Sequence, residues 1–461
     1  MQFPFTRAPL RLPQENTLVR WPVVMRTLVV AAFASSLSAW AAAQAPINVP
    51  LSLTEALHLA QTRSYALVAQ DAAARSAREM AVAAGQLPDP LLRLGVNSLP
   101  VDGSNAWSLT RDFMTIRLIG VMQTFTREDK RKARATRFER EAEVAESSRS
   151  MQVATLRRDT AIAWLDRYYQ QQTVELLTQQ RDEAALQIEA AEAAYRAGRG
   201  MQADVFMARS AVARIEDRIR ATQANLANAT TMLARWVGER ASDPVGRLPP
   251  IADTRLAAHP LAHQLNQHPD IALMAKREAV ALADADIARQ EKRADWSVEL
   301  AYGQRGPDFS NMVSLAVSVP LQWNQKNRQD RELAAKLATA EQIRAEREEI
   351  TRQHLAETSR WLQTWRSNLG RLADYDQTLI PLATERTHAA LAAYRGAKGA
   401  LSAVLEARRM EIDTRIERLR IETETAVLWA ALEYLIPTEF EGEDILRTSL
   451  TDTVNGKENQ Q

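Results

Sequence analysis

The sequence contains no cysteine. That removes disulfides, thiolate metal sites and cysteine nucleophiles together. Glycine is sparse, 15 in 461 residues, so there is little of the punctuation that a loop-rich fold needs. Charge of one sign is not in excess: 58 Lys+Arg face 57 Asp+Glu, a net of +1. A nucleic-acid partner is disfavoured, because phosphate binding usually requires a basic surplus. No Gly-x-Ser-x-Gly, P-loop or His-Glu-x-x-His motif occurs, and with them go the commonest hydrolase, nucleotide and zinc signatures. The reading is no enzyme and no cofactor. Beyond residue 44 there is no apolar run of ~18 residues, the length a membrane-crossing helix needs. If this chain enters a membrane, it does so as strands.

What remains is the composition of long helices, rich in Ala, Glu, Arg, Gln and Leu. An N-terminal export signal precedes them. Arg20 and Arg26 precede the apolar run Thr27–Leu37, and Ala41–Ala43 offers a small-residue cleavage site. Residues 1–43 are therefore read as a cleaved signal peptide, with Met25 an alternative start. No cysteine follows the cleavage site, so no lipid anchor is expected.

The body of the chain is a tandem repeat. Ala193–Arg209 (AAYRAGRGMQADVFMAR) returns at Ala392–Arg408 (AAYRGAKGALSAVLEAR), offset by 394 − 195 = 199 residues, with 8 of 17 positions identical. The first repeat is placed at 44–240, a Pro-rich linker at 241–258, the second repeat at 259–437 and a polar, disordered tail at 438–461.

Each repeat reads as helix, strand, turn, strand, very long helix, Gly break, helix. Leu51–Gln86 is helical, with Thr54 as cap, and Leu87-Pro88-Asp89-Pro90 stops it. Leu91–Leu99 and Met114–Phe125 are extended. Arg127–Tyr195 holds neither Pro nor Gly; as one helix it spans ~100 Å at ~1.5 Å per residue. Past the Gly198–Gly200 break, Val205, Ala208, Val212, Ile215, Ile219, Thr222, Leu226, Ala229 and Leu233 step by 3 and 4, a coiled-coil seam. In the second repeat Trp296–Tyr302 and Val313–Leu321 alternate apolar with small or polar residues, the clearest period of two in the chain. Gln325–Arg395 is the second long helix, softened at Gly370 and kinked at Pro381.

Four strands cannot close a barrel, and an open edge cannot face lipid. The hairpins are then either buried in soluble sheets or pooled between copies. Three copies give twelve strands, within the range of outer-membrane barrels. In the pooled arrangement Val313, Leu315, Val317, Val319 and Leu321 face lipid, and Trp296, Tyr302 and Trp323 sit near its borders.

The repeat, the helix–hairpin–helix order and the element Tyr195…Gly198…Asp204-Val205 resemble outer-membrane efflux proteins of the TolC type over essentially the whole mature chain. The resemblance implies a mainly α fold with a β-barrel contribution. The assembly would be a homotrimer with a twelve-stranded outer-membrane barrel on a long α-helical periplasmic tunnel. Its partners would be outer-membrane lipid, a periplasmic adaptor (membrane fusion protein) and an inner-membrane pump. The docking tip would be Tyr195, Gly198, Gly200, Tyr394, Gly396 and Gly399. Gln86-Leu87-Pro88-Asp89-Pro90 and Gln123–Arg131 look most like the heavy-metal branch, although Glu128-Asp129-Lys130 stands where that branch has Gly-Lys. Drug or protein cargo stays open, as does a secreted coiled-coil adaptor.

A closed tip needs charge. Asp204 and Glu406 follow the two breaks, and Arg209 and Arg408 are placed to latch them. These four are the gate candidates, set against an ordinary solvated face. His259, His263 and His268 are read as linker rather than a metal cluster, since Pro260 and Pro269 interrupt them. Met114, Met122, Met201 and Met207 are soft donors but equally core fillers. The basic run Arg127–Arg137 suits either anionic groups at a membrane's inner face or a solvated helix end.

Overall fold

The computed structural model describes residues 50–258, 267–396 and 398–436. The signal segment, His259, His263 and the polar tail lie outside the described residues.

Among the described residues eight α-helices and four strands follow the order α1 (Leu53–Arg63), α2 (Tyr65–Ala84), β1 (Leu91–Asn97), β2 (Ile116–Phe125), α3 (Glu128–Arg196), α4 (Gln202–Val237), α5 (Pro269–Gln290), β3 (Trp296–Gln304), β4 (Met312–Ser318), α6 (Gln329–Asp374), α7 (Ile380–Arg395) and α8 (Leu401–Glu433). The unpunctuated stretch after Arg127 is indeed one helix, 69 residues long. The seam of α4 is buried at Val205, Ala208, Val212, Ile215, Ile219, Ala229 and Leu233. Its middle section packs with Leu177 and Ala184 of α3 and Ile412 of α8.

Three details differ from the expectation. The first helix is capped by Ser52, whose hydroxyl accepts from the Glu55 N–H, not by Thr54. It also breaks at Ser64, which takes an extended conformation. The second long helix runs through Gly370 without softening, and its irregularity falls next to Pro381, where the kink was expected. It passes through a π-helical turn at Tyr375–Leu379 before α7. Pro381 lacks an N–H and its ring crowds the carbonyl four residues back, Gln377, so the ladder widens there.

The main core is a belt around the middle of the helices, and tryptophans organise it. Trp164 of α3 is fully buried and donates its indole N–H to the Leu51 carbonyl at 2.9 Å. Trp365 of α6 donates to the Ile251 carbonyl at 3.0 Å, and Trp429 of α8 to that of Asp253 at 2.9 Å. The donors Trp164 and Trp365 are 201 residues apart and the acceptors Leu51 and Ile251 are 200 apart, so the staple is repeated with the fold. The same bonds hold the irregular segments against the bundle. Leu51 forms a parallel bridge with Val245, and Ile251 and Leu256 are buried. The segment read as a linker is therefore packed core.

The strands form one antiparallel sheet in the order β1-β2-β3-β4, so β2 and β3 join the two repeats. The register places Leu92, Val121, Leu300 and Leu315 in one row, and Leu94, Ile119, Tyr302 and Val313 in the next. One face is thus apolar throughout its middle. Phe125 and Trp296, stacked at 4.5 Å, close its helix-side end. The opposite face is mixed: Gly95, Gly120, Ser297, Glu299, Ala301, Gly303, Ser314 and Ala316 share it with Leu91, Ile116, Leu118, Met122 and Met312, and Arg93 pairs there with Glu299 at 2.6 Å. A Cβ at Gly120 would lie 2.8 Å from that of Ala301, against ~4.5–5.5 Å for ordinary cross-strand neighbours. This crowding marks the mixed face as concave. β4 ends at Ser318, because β3 begins at Trp296 and Pro320 offers no N–H to a ladder.

Replacing Trp365 by Phe keeps most of the apolar volume and leaves the Ile251 carbonyl unpaired in the core. The expected loss is ~1–3 kcal/mol, read as a lower urea midpoint. An unchanged midpoint means that the indole bond does not hold the belt.

Candidate functional site

The two Gly breaks are built alike. At the end of α3, Arg199 N–H donates to the Ala194 carbonyl at 2.9 Å and Gly198 N–H to that of Tyr195 at 3.0 Å. This double bond pattern ends a helix on a left-handed residue, and Gly198 supplies it at φ +68°. At the end of α7, Lys398 N–H donates to the Ala393 carbonyl at 2.9 Å. Gly200 and Gly399 share a second reason to be glycine. A Cβ would stand 3.2 Å from that of Ala194 in one turn and 3.1 Å from that of Ala393 in the other.

The turns are held together by a small core of Ala191, Val205, Ala208, Leu401 and Val404, against which Tyr394 and Leu391 pack. Tyr394 is half-buried here, whereas Tyr195 stays exposed. The six residues of the expected tip thus lie at one end of the helices, in two turns joined by one cluster.

The gate candidates have other partners than those expected. Asp204 accepts the Met201 N–H at 3.0 Å and so caps α4. Its counterpart in the second repeat, Ala403, has no side chain to do this. Arg209 pairs with Glu192 of α3 at 2.7 Å, not with Asp204. Glu406 pairs with Arg409 on its own helix at 2.8 Å, and the guanidinium holds its carboxyl below the usual range. Arg408 bonds Glu183 of α3, not Glu406. The latch drawn from spacing is corrected: both arginines reach across to α3, where one helical turn brings an acid level with them. Arg408–Glu183 and Arg218–Asp413, the latter at 2.9 Å, tie the two repeats together near this end.

One acid nearby was not marked by its spacing. Glu411 is almost wholly buried on α8. Burial opposes its charge, yet hydrogen bonds from Thr387, Arg415 and Thr384 keep its carboxyl below the ordinary range.

Val313, Leu315 and Val317 are exposed on the apolar sheet face. Val319 and Leu321 are exposed too but lie past the end of β4. The basic run beyond β2 is largely neutralised. Lys130 pairs with Asp295 at 3.0 Å, Lys132 with Glu128 at 2.6 Å and Arg137 with Asp284 at 3.3 Å. Asp295 also accepts the Arg127 N–H at 3.1 Å, setting a carboxylate at the start of α3.

His268 caps α5 through Nδ1 and stacks on His354 at 4.0 Å; burial pushes its pKa down to about 4. Among the described residues no group of three or more His, Asp or Glu side chains is arranged to hold a metal, and no helix is long and apolar enough to cross a membrane.

No protein-family model and no curated protein matches the sequence. Solved structures do match. CusC, studied for the conformational changes of its folding and transmembrane channel formation, superposes with a TM-score of 0.73 at 16% identity, over 85% of this chain and 93% of that one. The outer-membrane protein VceC of Vibrio cholerae gives 0.68 at 17% identity, over 83% and 95%. The CmeC outer-membrane channel of Campylobacter jejuni gives 0.70 at 10% identity, over 95% and 97%. This chain has the fold of those outer-membrane channels. The mainly α protomer fold implied by the TolC-type resemblance is the one found, with a four-stranded sheet in the single chain.

Gly198→Val forces a β-branched residue to φ +68°, at ~1–2 kcal/mol for the left-handed conformation. Amide exchange at 194–202 is expected to accelerate with the global midpoint little changed. Unaltered exchange would show that the turn does not depend on glycine.

Proposed function

We propose that the chain is one protomer of a homotrimeric outer-membrane exit duct. It receives cargo from an inner-membrane pump through a periplasmic adaptor and conducts it outward without chemistry of its own. The observation that carries this is the sheet: four strands, two unpaired edges, one apolar face and a mixed face that holds the Arg93–Glu299 pair, set on helices of which the longest spans ~100 Å. Paired β4 to β1 around a three-fold axis, three such sheets close at twelve strands. The closure satisfies both edges, places Leu94, Ile119, Leu300, Val313, Leu315 and Val317 against lipid, and turns Arg93 and Glu299 to a wet lumen. The shared fold with solved outer-membrane channels supports the same reading.

The far end of the helices, with its paired Gly turns, is the docking tip and gate in this proposal. Asp204 and Glu406 ring the constriction, and Arg209 and Arg408 fix neighbouring helices through Glu192 and Glu183. A ring of acids excludes anions and admits cations. Together with the Leu-Pro-Asp-Pro turn before β1, this favours heavy-metal cations as cargo.

Asp204→Ala combined with Glu406→Ala is expected to raise single-channel conductance in planar bilayers and to weaken cation selectivity. Channels of unchanged conductance and selectivity would remove these acids from the gate. No channels from the unmodified protein would sink the duct.

A further inference from the structure

The segment between β1 and β2, residues 98–115, carries five large apolar side chains in the open: Val101, Trp107, Leu109, Phe113 and Met114. It lies at the end of the sheet away from the helices. It is well ordered by its own bonds. Trp107 N–H donates to the Pro100 carbonyl at 2.7 Å, Met114 N–H to Asp112 Oδ1 at 2.8 Å, and the buried Thr115 hydroxyl to the Ser98 carbonyl at 3.1 Å. Arg305 of the β3–β4 turn bonds the Phe113 carbonyl. Trp107 itself has φ +61° and is 69% exposed. A bulky aromatic in the left-handed region is an outlier, and such strain persists where the displayed side chain has a use.

The use follows from a length. From Trp296 to Tyr302 the outward face of β3 rises ~20 Å at ~3.3 Å per residue. On β4, counting Val319 and Leu321, the apolar run reaches ~26 Å, and a tilt of ~35–45° reduces it to ~20 Å. The apolar band of such barrels is ~25 Å tall. At the end nearest the loop, the outward row is apolar only at Val96 and turns polar at Arg117 and Gln304. The sheet alone is too short, and the shortfall lies where the five side chains stand.

We propose that the β1–β2 loop lies outward against the membrane, with Trp107, Leu109 and Phe113 inserted among the acyl chains of the outer leaflet, completing the apolar band. This rests on the duct reading above.

The natural absence of cysteine makes the test clean. Trp107→Cys, Phe113→Cys and Leu315→Cys are labelled singly with an environment-sensitive fluorophore. Each protein is reconstituted in phosphatidylethanolamine–phosphatidylglycerol vesicles containing doxyl-labelled lipid. The expected result at 107 and 113 is a blue shift and a loss of intensity comparable to those at 315, with little quenching by aqueous iodide. Iodide quenching at 107 and 113 with lipid quenching kept at 315 overturns the loop proposal alone. Self-quenching between labels at 107 also overturns it, since the loops would then meet across the mouth. Iodide quenching at 315 as well overturns the membrane reading itself.

Discussion

A β-strand edge is a row of unpaired N–H and C=O groups, and hydrocarbon offers them nothing. The four-stranded sheet has two such edges beside an apolar outward face. In the proposed duct that face meets lipid, and the edges forbid it while the chain is alone. Closure by further copies resolves the conflict, and the concave crowding at Gly120 and Ala301 shows a sheet already bent toward closure. The proposed barrel of three chains would need its protomers held at a fixed angle, and the tryptophan belt midway along the helices fixes the repeats of one chain against each other.

The belt also shows how a duplicated sequence makes a near-symmetric object with different halves. Trp164 and Trp365 repeat the same indole-to-carbonyl staple. Below the belt the halves diverge. The first repeat runs through α3 without a break, while the second passes through the π-helical turn before Pro381. At the tip Asp204 caps its helix, and Ala403 cannot. Tyr394 is drawn into the shared cluster while Tyr195 faces solvent. These differences are local substitutions on a common frame, and they give the two hairpins unequal surfaces.

Much of this was legible in the residues. The unbroken stretch after Arg127 and the 3–4 steps from Val205 to Leu233 foretold the long helices and their seam, because nothing there competes with helix. The alternation at Trp296–Tyr302 foretold β3, because a period of two puts its apolar side chains on one face of a strand. Boundaries were less legible where distant partners decide them. Ser52 rather than Thr54 caps α1 because Leu51 is pinned by Trp164, more than a hundred residues away. β4 stops at Ser318 because its neighbour runs out. The arginine pairs were misread because spacing along one helix says nothing of what the adjacent helix brings level. Arg408 finds Glu183, and Glu411 is buried, through packing that no local pattern encodes. The 201-residue interval between Trp164 and Trp365 was the one available sign of the belt, since it matches the repeat.

The central claim is that strands are pooled between copies in a membrane. Membrane fractionation, followed by mass determination of the detergent-solubilised species, tests it most directly. The account predicts an outer-membrane species that needs detergent for extraction and has the mass of three chains. A monomer released freely into solution would contradict it, and would leave the helices as the coiled coils of a soluble protein.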